Sequence, residues 1–552
     1  MSQTARGTGS LTRLADAILV PPFPGRSAPR WLLRALENGL AGVTLFGPNV
    51  AGPEQLSGLT AALRAAAPEP VIAIDEEGGD VTRLAHLTGS PYPGNAALGA
   101  VDDVALTTAV YRALGADLAA VGINVDLAPS VDVNAAAGNP VIGTRSFGDR
   151  TELVSRHAAA AVHGLQSVGV AACAKHFPGH GSTRDDTHHV LATVEGGIAR
   201  VRERDLPPFA AAIAAGVAAV MPGHLRVAGL TGALPATQSA AALAGLLRAE
   251  LGFTGVIISD ALEMRAVSGR GGVPSAAVRA VAAGVDLLCL GRDQHEADYL
   301  AVRAAIAAAV TAGELDPARL EEAAGRVASF RATLAAKTLP GASGPETRGL
   351  PGPEALSTAE ALAGAADMAA AVGMAAAADA AGAADPAPGH GLGAPGGGSL
   401  GGGDGVGLAA ARRALRVSGS PGTVTDPLVI EVAPPGNIAV GAVPWGLAPW
   451  LPAGSVVQVP AGGERADRRV AQALRRAAGR TVIAVVRDAH RDPGAQAVVT
   501  RLLAQRPDAI VVEMGLPVWR PPARTYLATY GASRISGQAA AELLGLTAPG
   551  AA

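Results

Sequence analysis

The chain has 552 residues, with 44 Lys plus Arg against 47 Asp plus Glu, giving a formal net charge of −3. At roughly one domain per 150 residues that length excludes a single small domain, and the charge lacks the basic excess that neutralising a phosphate backbone requires, which argues against nucleic acid as a partner. Apolar residues make up 49% and aromatics only 3%, so the chain is not disordered throughout and its core is expected to be Ala, Val and Leu.

The amino-terminal stretch MSQTARGTGSLTRLADAILVPPFPG has no apolar run of the roughly 7 to 15 residues that a signal peptide carries. No run of about 20 apolar residues appears further along. The expectation is a soluble, cytoplasmic protein with no membrane partner.

From about residue 15 to 340, short apolar runs alternate with longer amphipathic segments. The runs predict strands at 18–22, 42–46, 71–75, 123–129, 170–175, 217–223, 255–260 and 286–291. Between them, segments such as APRWLLRALENG and ELVSRHAAAAVHGLQSVG repeat apolar residues every three or four positions, as a packed helix face does. Eight βα units close a (β/α)8 TIM-type barrel, expected over residues 1–340. Residues 341–410 turn Ala-, Gly- and Pro-rich and read as a linker. Alternation resumes over 411–552, with strands at PLVIEVA, SVVQVP, TVIAVVR, AIVVEMG and RTYLATYG. That pattern predicts a smaller α/β sandwich domain with helices on both faces of a parallel sheet. Cys173 and Cys289 sit inside apolar runs and are expected as packed thiols.

In such a barrel the reacting groups lie at the carboxyl ends of the strands. Asp75 and Glu77 end the third predicted strand, Lys175 and His176 the fifth, and Asp260 the seventh; His224 follows the sixth. The richest stretch runs from Lys175 to His189, where Pro178, Gly179 and Gly181 forbid regular structure and predict a loop over the barrel mouth. Within it Asp186 and His188 are two apart, so a turn lets the carboxylate orient the imidazole and raise its pKa, which suits a proton donor. A metal site built from His176, His180, His188, His189 and the adjacent aspartates competes with that reading, although no HExxH pair is present.

KHFPGHG followed by DTH resembles the signature of bacterial β-N-acetylglucosaminidases of glycoside hydrolase family 3. Further similarity lies in Ile74 to Gly79 with Arg83, in Asn139 to Gly148, in Pro235 to Thr237 and in Ile258 to Met264. The ending TYGASRISGQAAAELL is similar to the carboxyl-terminal domain of two-domain members.

The resemblance implies a retaining exo-β-N-acetylglucosaminidase that removes terminal N-acetylglucosamine, with no cofactor and no metal. It implies Asp260 as nucleophile, His188 as general acid/base with Asp186 as its partner, and Asp75, Arg83, Arg145, Lys175 and His176 as sugar-binding groups. The same side chains also fit structural ion pairs: Arg83 and Arg145 with Asp75 and Glu77, and Lys175 with Asp260. Implied substrates are N-acetylglucosaminides, including muropeptides in cell-wall recycling or chitin-derived sugars. Two alternatives stand beside hydrolysis: phosphorolysis with inorganic phosphate as co-substrate, and a sugar-binding protein without catalysis. The chain departs from the family pattern at Glu76, usually Gln; at Asp80, often Arg; and at Thr187, usually Ser.

Overall fold

The eight apolar runs fold as short parallel strands of one barrel in the computed structural model, which describes residues 3–187, 189–337, 404–434 and 436–546. They are β1 (Leu19–Val20), β2 (Gly42–Leu45), β3 (Val71–Ile74), β4 (Val125–Asp126), β5 (Ala171–Phe177), β6 (Ala219–Pro222), β7 (Val256–Ile257) and β8 (Leu288–Cys289). Strands β2 to β7 pair in chain order, with Gly42 opposite Val71, Ala73 opposite Val125, Val125 opposite Ala171, Cys173 opposite Ala219 and Ala219 opposite Val256. A parallel bridge from Ile258 to Leu287 and the pairing of Leu19 with Leu288 carry the ring onward to β1. The Ala41 and Thr44 amides then donate to the Asp16 and Pro21 carbonyls and close it. Every residue of β2, β3 and β5 is buried, because helices cover the outside and side chains fill the inside.

The helices follow from their apolar spacing. In Pro53–Ala66 the buried positions are Leu56, Leu59, Thr60 and Leu63, one stripe facing the barrel. Pro53 opens that helix, where its missing N–H costs nothing. Asp103 caps Val104–Ala120 by accepting the Leu106 amide at 3.1 Å. Both cysteines are buried free thiols, as expected, and burial pushes Cys289 up to about 12. Within the barrel, Ala192–Val194 and Leu225–Val227 form an unanticipated two-stranded parallel ladder that joins the loops after β5 and β6.

The second domain has a six-stranded sheet of β9 (Arg416–Ser418), β10 (Leu428–Val432), β11 (Val456–Val459), β12 (Val482–Val486), β13 (Ile510–Glu513) and β14 (Thr525–Ala528). Their spatial order is β9-β14-β13-β12-β10-β11, all parallel except the edge strand β9. Helices Gly463–Arg475 and Pro493–Gln505 pack on one face, and Arg534–Leu543 on the other, giving two separate apolar layers. This is the α/β sandwich that the alternation predicts.

Helix Asp404–Ala414 occupies the last seven residues of the stretch expected as linker, and the rest of that stretch, 341–403, lies outside the described residues. It is the cement between the domains. Val406 and Ala410 join the barrel core, whereas Leu408 and Ala411 pack with Ile535 and Ala539. Arg413 pairs with Asp103 at 2.8 Å and Arg412 with Glu542 at 2.7 Å. Among the described residues no helix is long and apolar enough to cross a membrane.

Candidate active site

A cleft of about 820 Å³ opens at the carboxyl ends of the barrel strands. Asp75, Arg83, Arg145, Lys175, His176 and Asp260, all singled out from the sequence, line it together. β5 ends in a register shift against β6 between Lys175 and Phe177, where a strict strand would send Lys175 and His176 to opposite faces. The irregularity lets both reach the mouth.

Lys175 and Arg145 converge on two carboxylates. The Lys175 Nζ lies 2.6 Å from Asp75 Oδ1 and 2.7 Å from Glu77 Oε1. Arg145 donates to both Glu77 oxygens, through Nε at 2.9 Å and Nη2 at 2.7 Å, a bidentate fork. Burial alone would favour a neutral Glu77, but the two cations outweigh it and hold its carboxyl far below the usual range. Lys175 moves the opposite way: burial favours its neutral form, and Asp75 and Glu77 more than reverse that, so it stays charged. The cluster is therefore a fixed, water-poor array of charges whose outer member, Asp75, keeps its side chain 22% exposed toward the cleft. Arg83 sits 3.8 Å from Asp75 and spends Nη2 on the Ala439 carbonyl of the second domain at 3.0 Å.

His176 is oriented from behind. Its Nδ1 donates to Asp132 Oδ2 at 2.7 Å, leaving Nε2 to accept from Arg145 Nη2 at 3.4 Å. Asp132 also accepts the His180 amide at 2.6 Å and the Ser130 hydroxyl at 3.0 Å. Burial works against its charge, yet the neighbouring His176 and these donors keep its pKa lowered. His180 is held between the Thr183 hydroxyl at 2.7 Å and the Thr187 hydroxyl at 3.1 Å, and burial drops its pKa to about 4. Both rings are engaged by carboxylate or hydroxyl partners, an arrangement that orients side chains. Among the described residues there is no cluster of three metal-ligating groups.

Asp260 follows β7. Its Oδ1 accepts the Ala261 amide at 2.7 Å. The Ala261 carbonyl in turn accepts from His224 Nε2 at 3.0 Å, and the wholly buried His224 is fixed at Nδ1 by Thr237 at 2.8 Å. His224 thus fixes the Ala261–Leu262 peptide, one unit beyond Asp260. Glu263 adds a second brace by accepting the Arg292 and Asp293 amides at 2.6 and 3.0 Å, tying the loop after β7 to the loop after β8.

The loop after β5 is anchored at its base, where Asn139 Nδ2 donates to the His180 carbonyl at 2.9 Å and the Thr183 carbonyl at 3.1 Å. Thr187 and His189 line the cleft on either side of position 188. His188 itself lies outside the described residues. Asp186 is half-buried and within electrostatic reach of Arg491 from the second domain.

Sequence reasoning missed Asp132. Asp132 hides because the two histidines it holds, His176 and His180, are 44 and 48 positions away and no motif links them to it. The second domain supplies a strap from Ile438 to Val443 along the cleft wall, anchored by Arg83 and by Asn437 Nδ2 donating to the Val141 carbonyl at 3.4 Å.

Comparison with known proteins places the fold in a family. A Beta-hexosaminidase of Stenotrophomonas maltophilia (strain K279a) is 40% identical over 258 residues, 46% of this chain and 76% of that one. Beta-hexosaminidase A of Pseudoalteromonas piscicida is 33% identical over 321 residues, 53% of this chain, and the match spans only 54% of that longer relative. The solved structure of a glycoside hydrolase family 3 beta-N-acetylglucosaminidase from Paenibacillus sp. str. FPU-7 superposes with a TM-score of 0.76 at 30% identity, covering 98% of this chain and 97% of that one, second domain included. The model of the glycosyl hydrolase family 3 N terminal domain matches residues 29–330, more than half of the 552, and the chain belongs to that family.

Proposed function

We propose that the protein is a retaining exo-β-N-acetylglucosaminidase acting on terminal, non-reducing N-acetyl-β-D-glucosamine. The observation that carries this reading is the convergence of Asp75, Arg145, Lys175, His176 and Asp260 on one cleft, where the Asp260 carboxylate shares the lining with an array of fixed charges. The curated relatives' printed names and the Paenibacillus structure support the same activity.

In the proposed mechanism the Asp260 carboxylate attacks the anomeric carbon, the glycosidic bond breaks, and a covalent glycosyl-enzyme forms. His188, oriented by Asp186, gives a proton to the departing oxygen and later takes one from the attacking water, so the configuration at C1 is retained. Asp75 accepts sugar hydroxyls; Lys175, His176, Arg83 and Arg145 position the bound ring, directly or through Asp75 and Glu77. Preorganised charge of this kind needs no rearrangement as the reaction proceeds. The barrel, residues 1–340, carries the chemistry, and 411–552 form the second domain. The natural substrates proposed are muropeptides or related oligosaccharides in cytoplasmic cell-wall recycling.

The test is release of 4-nitrophenol from 4-nitrophenyl N-acetyl-β-glucosaminide beside the plain β-glucoside, with and without phosphate. Turnover of the acetylated sugar without phosphate is expected. Absence of turnover on both glycosides contradicts the reading, and acceleration by phosphate with formation of a sugar 1-phosphate shows phosphorolysis instead.

A further inference from the structure

The mechanism does not use the buried carboxylate of Asp80. Asp80 lies on the loop after β3, three residues beyond Glu77, and its side chain is only 2% exposed. Oδ2 accepts the Thr144 hydroxyl at 2.6 Å and faces the Arg487 guanidinium at 3.2 Å, while Oδ1 accepts the Ala532 amide at 2.7 Å. Arg487 and Ala532 belong to the second domain, just after β12 and β14, whereas Thr144 belongs to the barrel and adjoins Arg145.

These contacts close a ring. Glu77 is linked by backbone to Asp80, Asp80 is bonded to Thr144, Thr144 is linked to Arg145, and Arg145 is bonded back to Glu77. The Glu77-to-Asp80 side turns through Gly78 and Gly79 at φ of 71° and 60° and is pinned where the Glu77 amide donates to the Val81 carbonyl at 3.1 Å. The two loops of the ring therefore cannot shift relative to each other without breaking a bond. Its one outward-facing node, Asp80, is held by the other domain.

We propose that Asp80 is a positioning residue, through which the second domain fixes the Arg145–Glu77 pair of the sugar site; the proposal rests on the sugar-site reading above. It gives the second domain a role in substrate affinity without a catalytic group of its own. It also accounts for an acidic residue where the resembled family often carries Arg: an arginine here would face Arg487 and could not accept from Thr144 or Ala532.

A substitution at Asp80 would disturb its Thr144, Arg487 and Ala532 contacts all at once, so the test acts on the partners one at a time. Thr144→Val and Arg487→Met are expected to raise KM for 4-nitrophenyl N-acetyl-β-glucosaminide about tenfold, with kcat within about twofold. Arg487→Lys should recover most of the loss. Arg413→Ala, which removes the exposed interdomain pair with Asp103, should leave KM unchanged. Amide hydrogen exchange should quicken at 76–84 and 141–146 in Arg487→Met. Unchanged KM in both Thr144→Val and Arg487→Met, or faster exchange confined to 411–546, overturns the proposal. If the wild type does not turn over this glycoside, the functional reading fails by itself and the exchange pattern still decides the positioning role.

Discussion

Glu76 illustrates how much one side chain in this site is set by its surroundings. It is buried, and its Oε2 accepts the Arg83 amide at 2.7 Å and the Leu84 amide at 2.9 Å, holding the turn that presents Arg83. Burial outweighs these bonds and raises its pKa from 4.5 to about 7. The neutral form therefore favours the fold, so this group's contribution is fully present below pH 4.5 and is lost as pH rises through about 7. A glutamine offers the same accepting oxygen with no charge to desolvate. Glu76→Gln is expected to match the wild type at pH 4.5 and exceed its stability at pH 8 by on the order of 3 kcal/mol. Denaturant melts at the two pH values check this; an identical pH dependence for both proteins contradicts it. At this scale the sequence was partly legible. Motif residues such as Asp260 and Lys175 announce themselves through neighbours in the chain, whereas Asp132 acts on atoms far away in sequence and looks like an ordinary buried polar residue.

At the scale of elements, the barrel strands could be read because each is an apolar run bounded by Gly, Pro or charge, and a buried parallel strand needs no more signal than that. The ladder of Ala192–Val194 with Leu225–Val227 could not, since three-residue runs inside polar loops carry no period. Helix Asp404–Ala414 escaped for another reason: its Gly-rich approach has linker composition, and the helix gains its stability from packing on two domains at once. The turn between Glu77 and Asp80 is where element geometry constrains the site most. Gly79 has φ of 60°, and a Cβ there would stand 2.4 Å from the Gly94 Cα. Gly79→Ala is expected to cost more than about 2 kcal/mol, because strain and the backbone clash add. A urea midpoint equal to that of the wild type would contradict this account of the turn.

At the scale of the whole molecule, two domains meet over the loops that hold the charge cluster. The contacts include Arg83 to Ala439, Arg487 to Asp80 and His490 to the Ala137 carbonyl at 2.7 Å. In the proposed reading the barrel provides the reacting end and the second domain stiffens its rim; composition along the chain shows two α/β blocks with a linker-like stretch between them. All of this has a mechanistic purpose only if Asp260 forms a bond to the sugar. Incubation with a 5-fluoro N-acetylglucosaminyl fluoride, followed by peptic digestion and mass spectrometry, measures that bond directly. The account predicts a glycosyl adduct on the peptide containing Asp260 and none in Asp260→Ala; an adduct on another residue, or product released with inverted anomeric configuration, would contradict it.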